Sequence, residues 1–491
     1  MFNTPPRIYE VHTWPWLGRL SKRYGRAITL GNVPEEALDE ELEGFDTVWL
    51  MGVWERSPAA VEIALNTPAL LAEFGKALPD LTPADVAGSP YAVKRYAAAP
   101  ELGGAGGLAA FRRRLAGRGV KLVLDYVPNH TARDHSWTLD CPEMYIGGSA
   151  ADQQASPGGY FKAGGLVLAH GKDPYFPAWT DTAQINAFSA AARKKAVLTL
   201  LELAKMCDGV RCDMAMLLED EVFSRTWGEK AGPRPARPFW EEVIAGVRAR
   251  SRGFMFIAEV YWDMENALLE RGFNYCYDKR LYDRLVRADT AGIKLHLGAV
   301  PGFQRKLLRF IENHDEPRAA AVLAEGPLRS AAVTAFTLPG ACLVYDGQRE
   351  GNKIKLPVQL ARKPEEPRNA ELFAFYGRLL AVCGRLKRPG FSWSLAGTAP
   401  AGPGNNSFTR LMAWRWSDGE GEFLCVVNHS PEAAQGHIRP EGAAFGAGAW
   451  DFKDLLNGGE YRYKGADLEK FGLYVELRPW QSHIFEVKKR G

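Results

Sequence analysis

Short apolar runs, each followed by enough chain for a helix, recur along the sequence, and this alternation restricts the fold more than any other feature. The runs lie at 7–11, 47–52, 120–127 (VKLVLDYV), 209–214 (GVRCDM), 254–260 (FMFIAEV), 273–275, 307–316 (LLRFIENHDE) and 341–348 (ACLVYDGQ). Between them stand helix-like stretches, among them 107–115, 188–206, 239–250 and 328–338. Strands that are apolar throughout belong to parallel sheets covered on both faces. Eight of them in alternation with helices is the count of a (β/α)8 TIM barrel.

Two connections are too long for plain loops of such a barrel. Residues 55–102 contain a helix candidate at 68–78, and residues 131–186, rich in Gly and Ser, read as a small irregular domain over the barrel mouth. After about residue 390 the helical period stops. Strand-like pieces at 411–417, 422–430 and 473–487, separated by turn residues, have the texture of a C-terminal antiparallel β-sandwich. The expected division is therefore barrel at 1–130 and 187–388, inserted domain at 131–186 and sandwich at 389–491. At 491 residues the chain is long enough to need more than one core.

Charge excludes one class of partner. Lys and Arg number 61 against 58 Asp and Glu, with no basic block, so nucleic acid is not expected. No run approaches the ~18 apolar residues of a membrane span, and MFNTPPRIYEVHTW lacks the form of a leader, so a cytoplasmic location is expected. The seven cysteines are scattered, with no C-x-x-C pair, and read as reduced core thiols. With 14 Trp and 17 Tyr the chain has ample flat apolar surface for packing on sugar rings, although cores use the same residues.

In a (β/α)8 barrel, residues at the C-terminal ends of the strands converge on one mouth. Asp125, Asp213 and Glu259 each end an apolar run, and Asp315 closely follows another. Burying several carboxylates there is expensive unless chemistry requires them. Acetal hydrolysis requires them: a protonated acid assists the leaving oxygen and an ionised one, about 5 Å away in a retaining enzyme, attacks the anomeric carbon. Glu259 would be the donor, its pKa raised by burial and neighbouring charge, and Asp213 the nucleophile, steadied by Arg211 on the same side of the strand. Asp315, His130 and His314 are candidates for the hydroxyls of the first sugar. Read singly, Asp213 fits equally well as a buried ion-pair partner of Arg211, and the histidines as satisfied polar residues.

The segments DYVPNH (125–130), GVRCDM (209–214), EV (259–260) and ENHDE (312–316) resemble, in order and spacing, the four short regions of the α-amylase superfamily, glycoside hydrolase family 13. The resemblance implies a catalytic barrel, a domain B and a C-terminal sandwich. It assigns the nucleophile to Asp213, the acid/base to Glu259 and transition-state stabilisation to Asp315. Arg211, His130, His314 and Asp125 match its substrate-site residues. Tyr91 of YAVKRY is similar to its sugar-stacking tyrosine, although Ala92 stands where an acid is usual. Asn129 matches a position that binds structural calcium in many members, and the chemistry itself needs no cofactor.

One departure concerns the leaving side. Ala215, Met216, Leu217 and Leu218 occupy the stretch where many α-amylases carry a Lys-His pair. Trp14, Trp16, Trp49, Trp54 and Tyr261 are further candidates to line sugar subsites. The resemblance implies a hydrolase of α-1,4- or α-1,6-linked glucans or maltooligosaccharides; the alternative is a glucanotransferase or disaccharide-forming transglycosylase using the same site. A non-catalytic carbohydrate-binding protein would have lost Asp213 or Glu259, and both are present. Oligomeric state is not readable from the sequence.

Overall fold

The computed structural model describes residues 4–419 and 421–490. The barrel strands are β1 (Arg7–His12), β2 (Thr47–Met51), β3 (Lys121–Tyr126), β4 (Gly209–Cys212), β5 (Met255–Ala258), β6 (Tyr275–Tyr277), β7 (Leu307–Arg309) and β8 (Ala341–Tyr345). They close in the order β1-β8-β7-β6-β5-β4-β3-β2, every pair parallel. Every residue of β2, β4, β5 and β8 is buried, as the unbroken apolar runs require when helices cover the outside and side chains fill the inside. Helices Ala190–Met206, Phe239–Arg248, Glu325–Thr337 and Ala370–Leu386 belong to that cover. The first begins where the Ser189 side chain accepts from the Ala192 N–H, and the last where Asn369 accepts from Leu372.

The two long connections build the rim of the mouth. Residues Trp54–Arg56 pair with Val93–Ala98, and helices Pro58–Leu65 and Pro68–Ala77 share a small core with Leu356 and Leu360 from the chain after β8. In the second connection His130–Ala132 pairs with Thr182–Gln184, and Phe161, Ala163 and Leu168 of a three-stranded sheet of Gly147–Gly148, Tyr160–Ala163 and Leu166–Ala169 share a core with Met144 and Tyr145.

The C-terminal part has strands β9 (Ser392–Pro400), β10 (Leu411–Ser417), β11 (Glu422–Asn428), β12 (Ala434–Pro440), β13 (Ala449–Asp454), β14 (Glu460–Lys464), β15 (Leu473–Leu477) and β16 (Ser482–Lys489). They form one antiparallel sheet in the order β14-β13-β16-β11-β10-β9-β12-β15. Along β9, residues 392–395 pair with β10 and residues 396–400 with β12, so the two layers of the sandwich are two parts of one curled sheet. Leu411, Leu424, Phe452, Leu473 and Phe485 share its inner core. On the other face Trp416 donates from Nε1 to the Thr337 carbonyl, 2.8 Å away, which ties the sheet to the barrel.

All seven cysteines are unpaired, and all but Cys141 are buried. Among the described residues no helix is long and apolar enough to cross a membrane.

Register decides where the acids meet. Gly209 faces Met255 and Cys212 faces Ala258, so the residues that follow, Asp213 and Glu259, leave their strands at the same level. A Cβ on Gly209 would lie 2.7 Å from the Met255 Cβ and 2.8 Å from its carbonyl oxygen, so glycine is what permits the close approach. Gly209→Ala is expected to lower stability by about 1–3 kcal/mol through overpacking, read as a lower urea midpoint at unchanged slope.

Candidate active site

Backbone bonds carry the barrel ladder one residue past the strands. The Asp213 N–H donates to the Tyr126 carbonyl at 2.9 Å, and the Glu259 N–H to the Cys212 carbonyl at 3.0 Å, which fixes both acids at the mouth. The chain then turns sharply at Met214, a non-glycine residue at φ 43°, whose N–H donates to Glu259 Oε2 at 2.6 Å. Glu259 Oε1 accepts from the Tyr261 hydroxyl at 2.9 Å.

Arg211 organises the centre. Its side chain is 1% exposed. Nη1 donates to Asp213 Oδ1 at 2.8 Å and lies 3.6 Å from Asp125 Oδ1. Nη2 lies 2.8 Å from Glu259 Oε2, an ion pair by distance without the alignment of a hydrogen bond. Nε donates to the Tyr277 hydroxyl at 3.2 Å, and the rings of Trp49, Tyr91 and Tyr277 surround the guanidinium. Asp125 accepts from Trp49 Nε1 at Oδ1 and from the Gly52 N–H at Oδ2, each at 3.2 Å.

A second network starts from β1. His314 is fully buried, with Nδ1 2.5 Å from Glu10 Oε1 and Nε2 3.0 Å from Asp315 Oδ2. The Tyr91 hydroxyl is 2.6 Å from the same Nε2, and its ring stacks on the imidazole. His130 lies across the mouth, packed on Trp179 with ring centroids 5.1 Å apart. Asp213, Glu259, Asp315, His130 and Tyr91 all line one cavity of about 340 Å³, together with Trp179 and Tyr261. Arg211, Asp125 and His314 lie behind it as supports.

Burial and charge separate the titrating groups. Burial pushes Glu259 up to about 7: the Arg211 guanidinium opposes the rise, while Asp213 and Asp315 add to it. Burial also raises Asp213, against the opposing charge and hydrogen bond of Arg211. For Asp315 burial is outweighed by His314, with Arg211 and Lys355 helping, and the carboxyl is held down at about 2. His314 is the reverse: burial disfavours its charge, but Asp315 and Glu10 lift it to about 10, so it stands as imidazolium. Burial lowers His130 to about 4, leaving it neutral. Asp125 is pushed up to about 6 by burial, against Arg211 and His314.

Arg211→Met is expected to lower stability by about 3–5 kcal/mol near neutral pH, because it leaves buried carboxylates without their cation. The loss shrinks on acidification, since Asp125 and Glu259, freed of the Arg211 charge that opposes their rise, titrate in the variant above their parent values of about 6 and about 7 and become neutral. Urea unfolding of both proteins at about pH 8 and about pH 5 checks both statements.

Asn129, the residue at the calcium position, is hydrogen-bonded within the protein. Asn129 Oδ1 accepts from Gln184 Nε2 at 2.9 Å. Among the described residues no group of three or more His, Cys, Asp or Glu converges for a metal, whereas calcium takes 6–8 oxygens.

Several aromatic expectations are corrected. Trp16 packs on Phe111 in the core, Trp54 is buried with Nε1 on the Asp125 carbonyl, Trp49 supports Arg211 and Trp14 lies under Arg56; of these candidates only Tyr261 lines the cavity. Ala215, Met216, Leu217 and Leu218 are buried in a 3-10 turn. Glu10, Tyr277 and Trp179 belong to the site and were not anticipated there. Glu10, a carboxylate inside an apolar strand run, carried the same signal as Asp125.

No family model matches the sequence. Among curated proteins it is similar to the α-amylase MalA of Haloarcula japonica, 26% identical over 255 residues, which is 48% of this chain and 32% of that protein. It is also similar to α-amylase 3 of Dictyoglomus thermophilum, 22% identical over 276 residues and 51% of each chain. The chain thus spans from about a third to about half of the length of these curated relatives. Among solved structures, a maltogenic α-amylase from Thermotoga neapolitana superposes with TM-score 0.68 at 18% identity over 98% of both chains. The Bacillus licheniformis trehalose-6-phosphate hydrolase does so with TM-score 0.65 at 16% identity, over 99% of this chain and 100% of that one. At these identities the superpositions establish a shared fold from end to end.

Proposed function

We propose that this protein, built on the α-amylase family fold, is a retaining α-glycosidase of α-glucans or maltooligosaccharides. The observation that carries the reading is a single guanidinium, Arg211, in ion-pair contact with both Asp213 and Glu259, while Asp315 faces the same cavity. One planar fork reaching two carboxyl groups keeps them on one side and close, as the roughly 5 Å separation of a retaining pair demands.

In the first step Asp213 attacks the anomeric carbon as the glycosidic bond breaks, and the Glu259 proton passes to the departing oxygen. In the second, Glu259, now ionised, takes a proton from water, whose oxygen displaces Asp213 and restores the configuration. Glu259, held at about 7, is suited to carry the proton in one step and accept it in the next. Asp315, charged and tied to His314, would bind hydroxyls of the ring that becomes the oxocarbenium-like species. Two carboxyl groups and water suffice for this chemistry, without a cofactor.

The test is incubation with maltooligosaccharides, an α-1,6 glucan and trehalose, following product size and anomeric configuration over time. Shortening with α-configured products is expected. Longer products appearing alongside shorter ones would identify capture of the intermediate by sugar in place of water, and β-configured products would overturn the retaining reading.

A further inference from the structure

Two of the three acids at the mouth are held by the barrel itself, and the third is not. Asp213 and Glu259 each sit one residue past a strand on ladder hydrogen bonds, and Arg211 reaches both side chains. Asp315 comes later, beyond the end of β7, in a turn where Asn313 Oδ1 accepts from its N–H. Its side chain is 41% exposed and lines the cavity. Among the described residues its one ion-pair contact is His314, with Nε2 3.0 Å from Oδ2. The direction of the Asp315 carboxylate therefore depends on His314.

His314 in turn is held from behind. Tyr9 reaches outward to Glu41 of helix Glu35–Leu42, its hydroxyl donating to Oε2 at 2.7 Å, so Glu10, the next residue of β1, points into the barrel. There its Oε1 lies 2.5 Å from His314 Nδ1, both side chains fully buried. Glu10 Oε2 is buried with no hydrogen-bond donor from the protein, and His314 is the one ion-pair partner of Glu10 among the described residues. The neighbouring Glu312 is paired elsewhere, accepting from Arg318 Nη1 at 2.7 Å and from the Ala319 N–H at 2.6 Å.

These two contacts fix the charge of the ring. Ionised carboxylates only accept hydrogen bonds and a neutral imidazole has one N–H, so a histidine between two of them bonds to both only as imidazolium. The lifting of His314 to about 10 by Asp315 and Glu10, against burial, agrees with this. Tyr91, His12 and Asp125 also face the ring, and Tyr277 and Tyr345 face Glu10, but none of them supplies a second carboxylate contact to Nδ1.

We propose that Glu10 is a positioning residue for the reaction: its charge keeps His314 doubly protonated, and the second N–H of the ring holds the Asp315 carboxylate towards the sugar. This rests on the catalytic reading above. Without the Glu10 charge, burial favours the neutral ring. In Glu10→Gln the amide oxygen still accepts from Nδ1, so Nε2 becomes a bare lone pair facing the Asp315 carboxylate, and two acceptors repel. Asp315 is asked to act on the ring as it becomes oxocarbenium-like, so the loss of its aim falls on kcat more than on KM.

Two variants separate charge from shape. Glu10→Gln keeps the shape and loses the charge; Glu10→Asp keeps the charge and loses a methylene. With maltopentaose, Glu10→Gln should lower kcat about 10²-fold with a much smaller change in KM, and Glu10→Asp should retain most of the rate. A role in packing alone predicts the reverse order. An unchanged kcat in Glu10→Gln, or Glu10→Asp no faster than Glu10→Gln, overturns the proposal and leaves the catalytic reading intact. The ring itself is read by NMR of isotope-labelled histidine, its signal assigned by its absence in His314→Gln. In the wild type it should still be imidazolium at about pH 8, and in Glu10→Gln it should lose its proton at lower pH. A neutral His314 in the wild type at that pH overturns the proposal even if Glu10→Gln fails to fold. Should the wild type cleave no α-glucoside, the catalytic reading fails, and fluorescence titration with maltopentaose decides. Positioning by Glu10 then requires binding that weakens about tenfold in Glu10→Gln and stays near wild type in Glu10→Asp; any other pattern, or no binding, overturns it.

Discussion

Glu259→Gln is expected to cleave maltopentaose about 10³-fold more slowly than the parent enzyme, with its fold and its oligosaccharide binding retained. The amide keeps the shape and one acceptor for the Met214 N–H but has no proton to give the leaving oxygen and no basicity for the second step. The loss should be far smaller with α-glucosyl fluoride in the presence of azide, because fluoride departs without protonation and azide attacks without needing a base. The parent enzyme's activity should fall as pH rises through about 7, where Glu259 ionises, and that alkaline limb should vanish in the variant. Stability moves oppositely. The folded value of about 7 lies above the ordinary 4.5, so protonation of Glu259 favours the native state fully below 4.5, and this contribution is lost as pH rises through about 7. The neutral amide has no such loss, and the variant should gain relative stability at alkaline pH. Near-normal turnover of maltopentaose would remove Glu259 from the role of acid.

How much of this was legible in the sequence depends on how local the cause was. The barrel strands were legible because each is a run buried on both faces, a property of its own residues. The limits of the seventh run were not: 307–316 reads as one piece, but the strand is only Leu307–Arg309, and Asn313 Oδ1 then turns the chain by accepting from the Asp315 and Glu316 N–H groups. The acids were legible because strand ends converge in any such barrel, and Arg211 beside Asp213 because a two-residue step keeps both on one face. Which tryptophans are buried and which are exposed was not legible. Trp54 and Trp262 both follow a barrel strand closely, three residues past Met51 and four past Ala258, and only the path of the chain turns one onto the Asp125 carbonyl and the other to solvent. The sheet after residue 390 showed its strands through alternation, whereas its curling on itself depends on β9 exchanging partners midway, a long-range pairing without local signature.

Asp213→Ala should reduce turnover further than Glu259→Gln, by at least about 10⁴-fold, because the proposed mechanism gives the attack on the anomeric carbon to Asp213. A purely structural Asp213, serving only to neutralise Arg211, also predicts damage on substitution, so loss of rate alone does not separate the two roles. The product does. Alanine vacates the space on the attacking side, and azide entering it should displace fluoride from α-glucosyl fluoride to give the β-glucosyl azide, inverted at the anomeric carbon, with no enzyme-bound intermediate. Removing the Asp213 charge also removes one of the influences that raise Glu259, so in azide-rescued cleavage of maltopentaose, whose leaving oxygen needs the Glu259 proton, the alkaline limb should move to lower pH than in the parent enzyme. A structural Asp213 leaves the attacking group elsewhere, and the variant would then go on releasing α-configured product with no dependence on azide. That result would break the double displacement at its first step, since the bond that must form between carboxylate and sugar would have formed without Asp213.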